Sequence, residues 1–130
     1  MTEDEVAQII VQAAYDLHRE LGPGLLESVY EVLLAKALKE QVLEVECQKP
    51  IPIIFRGDVF DEGFRADLIV SNLVLVELKS ADAIAKVHHK QTLTYLRLTG
   101  LKIALIINFG GPLLKGNIER LANGFKEAPR

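Results

Sequence analysis

Arg65-Ala66-Asp67-Leu68-Ile69-Val70-Ser71-Asn72-Leu73-Val74-Leu75-Val76-Glu77-Leu78-Lys79 is the stretch that decides the fold. Two apolar runs flank Ser71-Asn72, a dipeptide suited to a tight turn. Phe60 to Val70 therefore reads as one strand and Leu73 to Lys79 as the next, paired antiparallel. Three charged residues sit where apolar ones belong. A charge in a buried strand costs several kcal/mol unless it is paired or binds a cation. Alternation puts Glu77 and Lys79 on one face of their strand. Hairpin pairing brings Asp67, on the neighbouring strand, within reach of Glu77. The plainer alternatives are a Glu77–Lys79 ion pair and an Asp67 that partners Arg65 or caps the turn.

Upstream, Val45, Cys47, Ile51, Ile53 and Phe55 alternate with polar residues, as in a half-buried strand. Pro50 and Pro52 remove two amide donors, which suits a sheet edge. Arg56-Gly57-Asp58 is a turn signal, so the three strands form a meander. Two helices precede them. Thr2 and Glu5 have capping-box spacing, and Val6, Ile9, Ile10, Ala13, Ala14, Leu17 and Leu21 form an apolar stripe that Gly22-Pro23-Gly24 stops. Leu26, Val29, Tyr30, Leu33, Leu34, Ala37 and Leu38 mark the second helix. Downstream, Ser80 to Thr99 is helical in character, with Gly100 as its C-cap. Leu101 to Asn108 is a nearly continuous apolar strand, suited to burial on both faces and a parallel neighbour. Gly110-Gly111-Pro112 is a loop, and a short helix around Gly116 to Asn123 closes the chain. The order α-α-β-β-β-α-β-α predicts an α/β fold: a three-layer α/β/α arrangement with a small mixed sheet, one domain over residues 1–130.

Composition narrows the classes. The 130 residues are 49% hydrophobic and 25% charged, the balance of one ordinary soluble domain. Cys47 is the only cysteine, which excludes a disulfide framework, a zinc finger and a cysteine-ligated cluster within one chain. Nothing approaches the ~18 apolar residues of a membrane span, and the acidic start Met1-Thr2-Glu3-Asp4-Glu5 is unlike a secretory signal. A cytoplasmic protein is expected. The net charge of −3 argues against a broad basic surface, but its distribution is uneven. Residues 1–62 carry 5 Lys/Arg and 13 Asp/Glu, net −8; residues 63–130 carry 10 and 5, net +5. The second half can present a basic face to a polyanion.

Two carboxylates with an ammonium alongside make a hard-cation site. Asp67, Glu77 and the Leu78 carbonyl offer three oxygens, a set that suits Mg2+. Lys79 would stand beside the ion and orient water for attack on a phosphodiester. Helical spacing places Ile84, His88, Gln91, Tyr95 and Leu98 on one stripe, with Gln91 and Tyr95 facing the same cleft. Glu27, close to the apolar face of the second helix, adds a further carboxylate; its plain alternative is a carboxylate stabilised by the helix dipole. His88 and His89 point about 100° apart and do not share one ion. Tyr30 fits the core, and Cys47 reads as a small apolar strand residue.

Gly24-Leu25-Leu26-Glu27-Ser28-Val29-Tyr30 resembles the pattern that names the GxxExxY proteins, members of the PD-(D/E)xK nuclease superfamily. Asp67 with Glu77-Leu78-Lys79 is similar to that superfamily's D…ExK signature. Gln91-Thr92-Leu93-Thr94-Tyr95 is similar to the QxxxY element of its exonuclease-like branches, and Ile107-Asn108-Phe109-Gly110 to the end of the family's last core strand. The resemblance runs from about Val6 to Leu121, with Ala66 where the motif has Pro. It implies a restriction-endonuclease-like αβββαβ core preceded by an extra N-terminal helix. It also implies phosphodiester hydrolysis with Mg2+ or Mn2+. By match, Asp67, Glu77, Leu78 and Glu27 are the metal residues, Lys79 is catalytic, and Gln91 and Tyr95 are accessory. DNA is the expected substrate and RNA the second, with no membrane partner and a homodimer as one assembly. The alternative is a non-catalytic nucleic-acid-binding or assembly module that retains the fold.

Overall fold

The computed structural model describes residues 1–124. Helix α1 spans Glu3–Leu21 and α2 spans Glu27–Glu40. The capping box forms as its spacing requires: Glu5 N–H donates to Thr2 Oγ1 at 3.2 Å, and Thr2 N–H donates to Glu5 Oε1 at 3.1 Å. The stripe of α1 buries Val6, Ile10, Ala14 and Leu17, and α2 buries Tyr30, Leu34 and Leu38. No helix among the described residues is long and apolar enough to cross a membrane.

Strands β1 (Val45–Phe55), β2 (Asp58–Val70) and β3 (Val74–Lys79) form the meander. At the turn, Ser71 and Asn72 take left-handed φ of 52° and 54°, and Leu73 N–H donates to Val70 O at 2.9 Å. Helix α3 (Lys86–Thr99) leads to β4 (Ile103–Asn108), which pairs parallel with β3. The five-stranded order is β1-β2-β3-β4-β5, with every other pair antiparallel. The prolines of β1 therefore lie on an edge strand, where missing donors cost least. Helices α1 and α2 pack on one face through Leu68, Val70, Val74, Val76, Leu105 and Ile107. Helix α3 covers the other face, against Ile69, Leu75, Ala104 and Ile106.

Two expectations are corrected. The helix expected from Ser80 begins only at Lys86, because the side chain of buried Asn108 takes both backbone groups of Ala81. Ala81 N–H donates to Asn108 Oδ1 at 2.9 Å, and Asn108 Nδ2 donates to Ala81 O at 3.0 Å. Gly110 packs so close that a Cβ there would lie 2.2 Å from Ala81 O, so this clamp needs glycine. Ile84 thus precedes the helix and does not extend the α3 stripe. The helix expected around Gly116 to Asn123 is instead strand β5, Ile118–Ala122, paired with β4 from Ile107↔Ile118 to Ile103↔Ala122. All six residues of β4 are buried. A strand so apolar needs a neighbour on its outer edge, and five residues are too few to repay helix nucleation. Cys47, expected as a small apolar residue, lies exposed on β1.

Candidate functional site

Strand alternation fails at one place in β2. Phe64 and Ala66 pack with the α3-side cluster, whereas Leu68 and Val70 pack with the α1/α2-side cluster. Residues two apart share a face of a regular strand, so the chain changes face at Asp67. Opposite it on β1, Gln48 has φ +50°, between the pairs Cys47↔Leu68 and Lys49↔Ala66. Pairing of β2 with β3 reaches only from Val70↔Val74 to Leu68↔Val76. Beyond that the strands part, and carboxylates bind the amides the ladder releases. Asp67 N–H donates to Glu77 Oε2 at 3.2 Å, and Leu78 N–H donates to Asp67 Oδ2 at 2.8 Å. Because the Leu78 amide turns toward β2, its carbonyl faces the same fork.

Glu77 is 5% exposed. Burial, then the negative charge of Asp67 and a hydrogen bond from the protonated Glu77 carboxyl to Asp67, push its pKa up to about 9. Lys79 shares the face of Glu77 but forms no ion pair with either carboxylate within 4.0 Å. Glu77 and Lys79 thus form no salt bridge within 4.0 Å, and Arg65 pairs with Glu62 rather than Asp67. Two carboxylates and a carbonyl, all oxygen, with one carboxyl buried, fit a divalent ion of the Mg2+ kind. Such an ion is commonly held by one or two carboxylates.

Glu27 stands at the first position of α2, exposed, where its Oε2 accepts from Ser80 N–H at 3.3 Å. Ser80 Oγ donates to Leu25 O at 2.8 Å. This ties the end of β3 to the Gly24–Tyr30 stretch. Glu27 lines a cleft of about 660 Å³ with Leu25, Ser80, Asp82 and Gly110. Among the described residues no group of three or more His, Cys, Asp or Glu comes together as a metal cluster. Tyr30 is fully buried, stacks on Phe109 at 4.3 Å and donates from its hydroxyl to Gly22 O at 2.5 Å, as its core assignment requires.

Tyr95 stacks on Phe64 with centroids 3.8 Å apart. Burial, then the charges of Glu77 and Asp67, raise its pKa, so its hydroxyl lies in the field of the fork. Gln91 is exposed one turn earlier on α3. The adjacent histidines diverge as expected: His88 Nδ1 accepts from Ala85 N–H at 3.1 Å, and His89 Nδ1 pairs with Glu119 Oε2 at 3.0 Å.

Gln48 and Glu31 escape the sequence reading. Gln48 Nε2 donates to Asp67 Oδ1 at 3.2 Å and to Glu31 Oε1 at 2.5 Å. Burial raises the Glu31 pKa; the Gln48 hydrogen bond works against this, and the Asp67 charge adds to it. Glu31 follows Glu27 at helical i,i+4 spacing, a signal present in the sequence. Nothing local marks Gln48, whose place depends on how β1 docks.

The family model of the PD-(D/E)XK nuclease superfamily matches residues 4–121. No curated protein and no solved structure matches the chain.

Proposed function

The chain belongs to the PD-(D/E)XK nuclease superfamily, and on that premise we propose that it hydrolyses phosphodiester bonds of DNA with Mg2+ or Mn2+ as cofactor. The observation that carries the reading is the fork between β2 and β3. There a strand pair gives up its ladder to set Asp67 and Glu77 side by side, with Lys79 two residues along. Asp67, Glu77 and the Leu78 carbonyl would hold the cation. When bound, such an ion lowers the pKa of water and offsets charge that builds on the phosphoryl oxygens.

The chain's own residues do the rest. The Asp67 carboxylate is oriented by the Leu78 amide on one oxygen and by Gln48 on the other. The Lys79 ammonium, with no ion-pair partner within 4.0 Å among the described residues, is a donor for the attacking water and for the phosphate it approaches. Water gives up a proton as it bonds to phosphorus, the ester P–O bond breaks, and the departing oxygen takes up a proton, so H and OH of one water are shared between the two products. Glu27 holds Ser80 and so fixes where β3 ends. Gln91 and Tyr95 border the site from α3 as accessory groups.

Lys79→Ala and Asp67→Ala proteins should fold and lose cleavage of DNA by about a thousandfold, the scale of losing a polar transition-state contact or more. Cleavage retained in both variants refutes the assignment. Binding of nucleic acid without cleavage, and with no effect of Mg2+ or Mn2+, returns the non-catalytic module in its place.

A further inference from the structure

Helix α2 serves both arms of the fork with carboxylates one turn apart. Glu27 Oε2 accepts from Ser80 N–H just past the end of β3. Glu31 follows Glu27 at i,i+4 spacing, about 6 Å along the axis, and serves β2 through an intermediary. Gln48 Nε2 donates to Glu31 Oε1 at 2.5 Å and to Asp67 Oδ1 at 3.2 Å. An amide NH2 carries two hydrogens, so one group satisfies both carboxylates at once. Leu78 N–H holds the other Asp67 oxygen at 2.8 Å. Both oxygens of Asp67 are therefore fixed in direction, one from inside the fork and one by a relay that ends on α2. Glu31 is half-buried and feels the Asp67 charge, so the Gln48 amide stands between two acids that repel.

The backbone carries a second sign. Among the described residues other than glycine, Val42, Gln48, Arg56, Ser71 and Asn72 have left-handed φ. All but Gln48 stand in turns, where such values are ordinary. Gln48 stands inside a strand, and the register of β1 with β2 passes from Cys47↔Leu68 to Lys49↔Ala66 without pairing it to Asp67. Glycine and asparagine enter this conformation more easily than glutamine. A strained residue persists where its surroundings over-determine it, and such residues gather at functional sites. Here the surroundings are the two carboxylates. What glutamine adds over glycine is an NH2 that touches both. Gln48 is exposed on the edge strand, so apolar burial is not what holds it there.

We propose that Glu31 and Gln48 are the positioning residues of the cation site: Glu31 fixes the Gln48 amide, and that amide turns the Asp67 carboxylate to the direction an ion requires. This rests on the reading of Asp67 as a cation ligand and deepens it. Neither residue touches the reacting atoms. Groups behind a metal ligand set its orientation, and losing one weakens metal affinity or activity by about 10–100-fold. The left-handed backbone at Gln48 is then what delivers the amide, and α2 becomes the frame from which both strands of the fork are held.

The test is calorimetry with Mn2+, beside cleavage of a DNA duplex, in Gln48→Gly, Glu31→Ala and Glu31→Gln. Gln48→Gly gives the left-handed backbone a residue that suits it, so its thermal melt should stay close to the parent's. Its Mn2+ affinity should nevertheless fall about tenfold or more, and at saturating Mn2+ its kcat should fall with KM for DNA unchanged. The two Glu31 variants remove the same charge, but only Glu31→Gln keeps an acceptor for the Gln48 amide. Glu31→Ala should therefore lose Mn2+ affinity and Glu31→Gln should stay near the parent. Unchanged Mn2+ affinity in Gln48→Gly, equal losses in the two Glu31 variants, a melting midpoint that falls in step with affinity, or a parent that binds no Mn2+ overturns the inference. Cleavage separates the two claims. A parent that binds Mn2+ in this Gln48-dependent way but cuts no DNA sinks the nuclease reading and leaves this one. A parent that cuts DNA, with kcat and Mn2+ affinity indifferent to Gln48→Gly, does the opposite.

Discussion

On the face of the sheet under α1 and α2, the core is overwhelmingly apolar: Leu34, Leu38, Leu68, Val76 and Leu105 share one cluster, and Phe109 stacks on Tyr30. On the face under α3, the cluster is smaller, and Glu77 stands in the same row as Leu75 and Ile106. One face is built as a core. The other gives up apolar burial along one edge to hold carboxylates that repel each other. The difference shows where stability is made and where it is given up, and each face should respond to substitution with its own sign.

The largest effect should come from the apolar face. Phe109→Ala removes a fully buried ring that seals the end of β4 against α2, and should lower unfolding free energy by about 3–5 kcal/mol. Urea titration reads this as a lower midpoint at unchanged slope. A loss below about 1 kcal/mol would mean that this face is not the stabilising one.

The α3 face should behave in the opposite way. Glu77 has an ordinary value of 4.5 that the folded state raises to about 9. The native protein thus binds a proton more tightly than the unfolded chain, and stability falls as pH rises through that window. The slope is at most about 1.4 kcal/mol per pH unit, less where the site relaxes. Thermal melts of the metal-free protein should show a midpoint falling between pH 5 and pH 9, with the fall largely gone in Glu77→Gln. At neutral pH, Glu77→Gln should be more stable than the parent. Mg2+ should flatten the parent's pH dependence by displacing the shared proton. A parent protein that grows more stable toward pH 9 would contradict the fork's electrostatics.

Tyr95 tests how closely the two roles of the α3 face are joined. Tyr95→Leu keeps apolar bulk but loses the stack on Phe64, which should cost about 1 kcal/mol in a chemical melt. Tyr95→Phe should keep that stability, so any loss of cleavage in it belongs to the hydroxyl alone.

These contrasts also explain what could be read from the chain beforehand. The apolar face was legible because each of its elements repeats a period: the α1 stripe, the Leu68–Val70 and Val74–Val76 runs, and the dense β4 strand. The Asp67–Glu77 pair was legible because charges interrupt those runs. Its geometry was only half visible, since the change of face at Asp67 depends on a left-handed Gln48 in a neighbouring strand. The start of α3 was hidden for a similar reason. Ala81 to Ala85 have good helix propensity, but Asn108, distant in sequence, holds Ala81 in another conformation. β5 carries no strand signal of its own, because its partner, not its period, makes it a strand. Local signals describe elements, while long-range hydrogen bonds from Gln48 and Asn108 shape the site.

The smallest effect is the one that separates the two faces most cleanly, because it changes no packing. At the start of α1, Glu5 bonds to the Thr2 amide and its carboxylate is held below the usual range by that contact. Glu5→Lys should therefore destabilise the protein, because it loses the cap contact and sets a positive charge at the positive end of the helix. At the start of α3, Lys86→Glu makes the reverse exchange and should stabilise by about 0.3–1 kcal/mol at low ionic strength. That is a rise of a few degrees at most in a thermal melt for a chain of this length. Added salt should shrink both shifts, since exposed charges are screened within a Debye length of about 10 Å at 0.1 M. If Lys86→Glu instead lowers the midpoint, the lysine contributes to the fold. If it raises the midpoint, the α3 face gives up stability at its helix start as it does at Glu77.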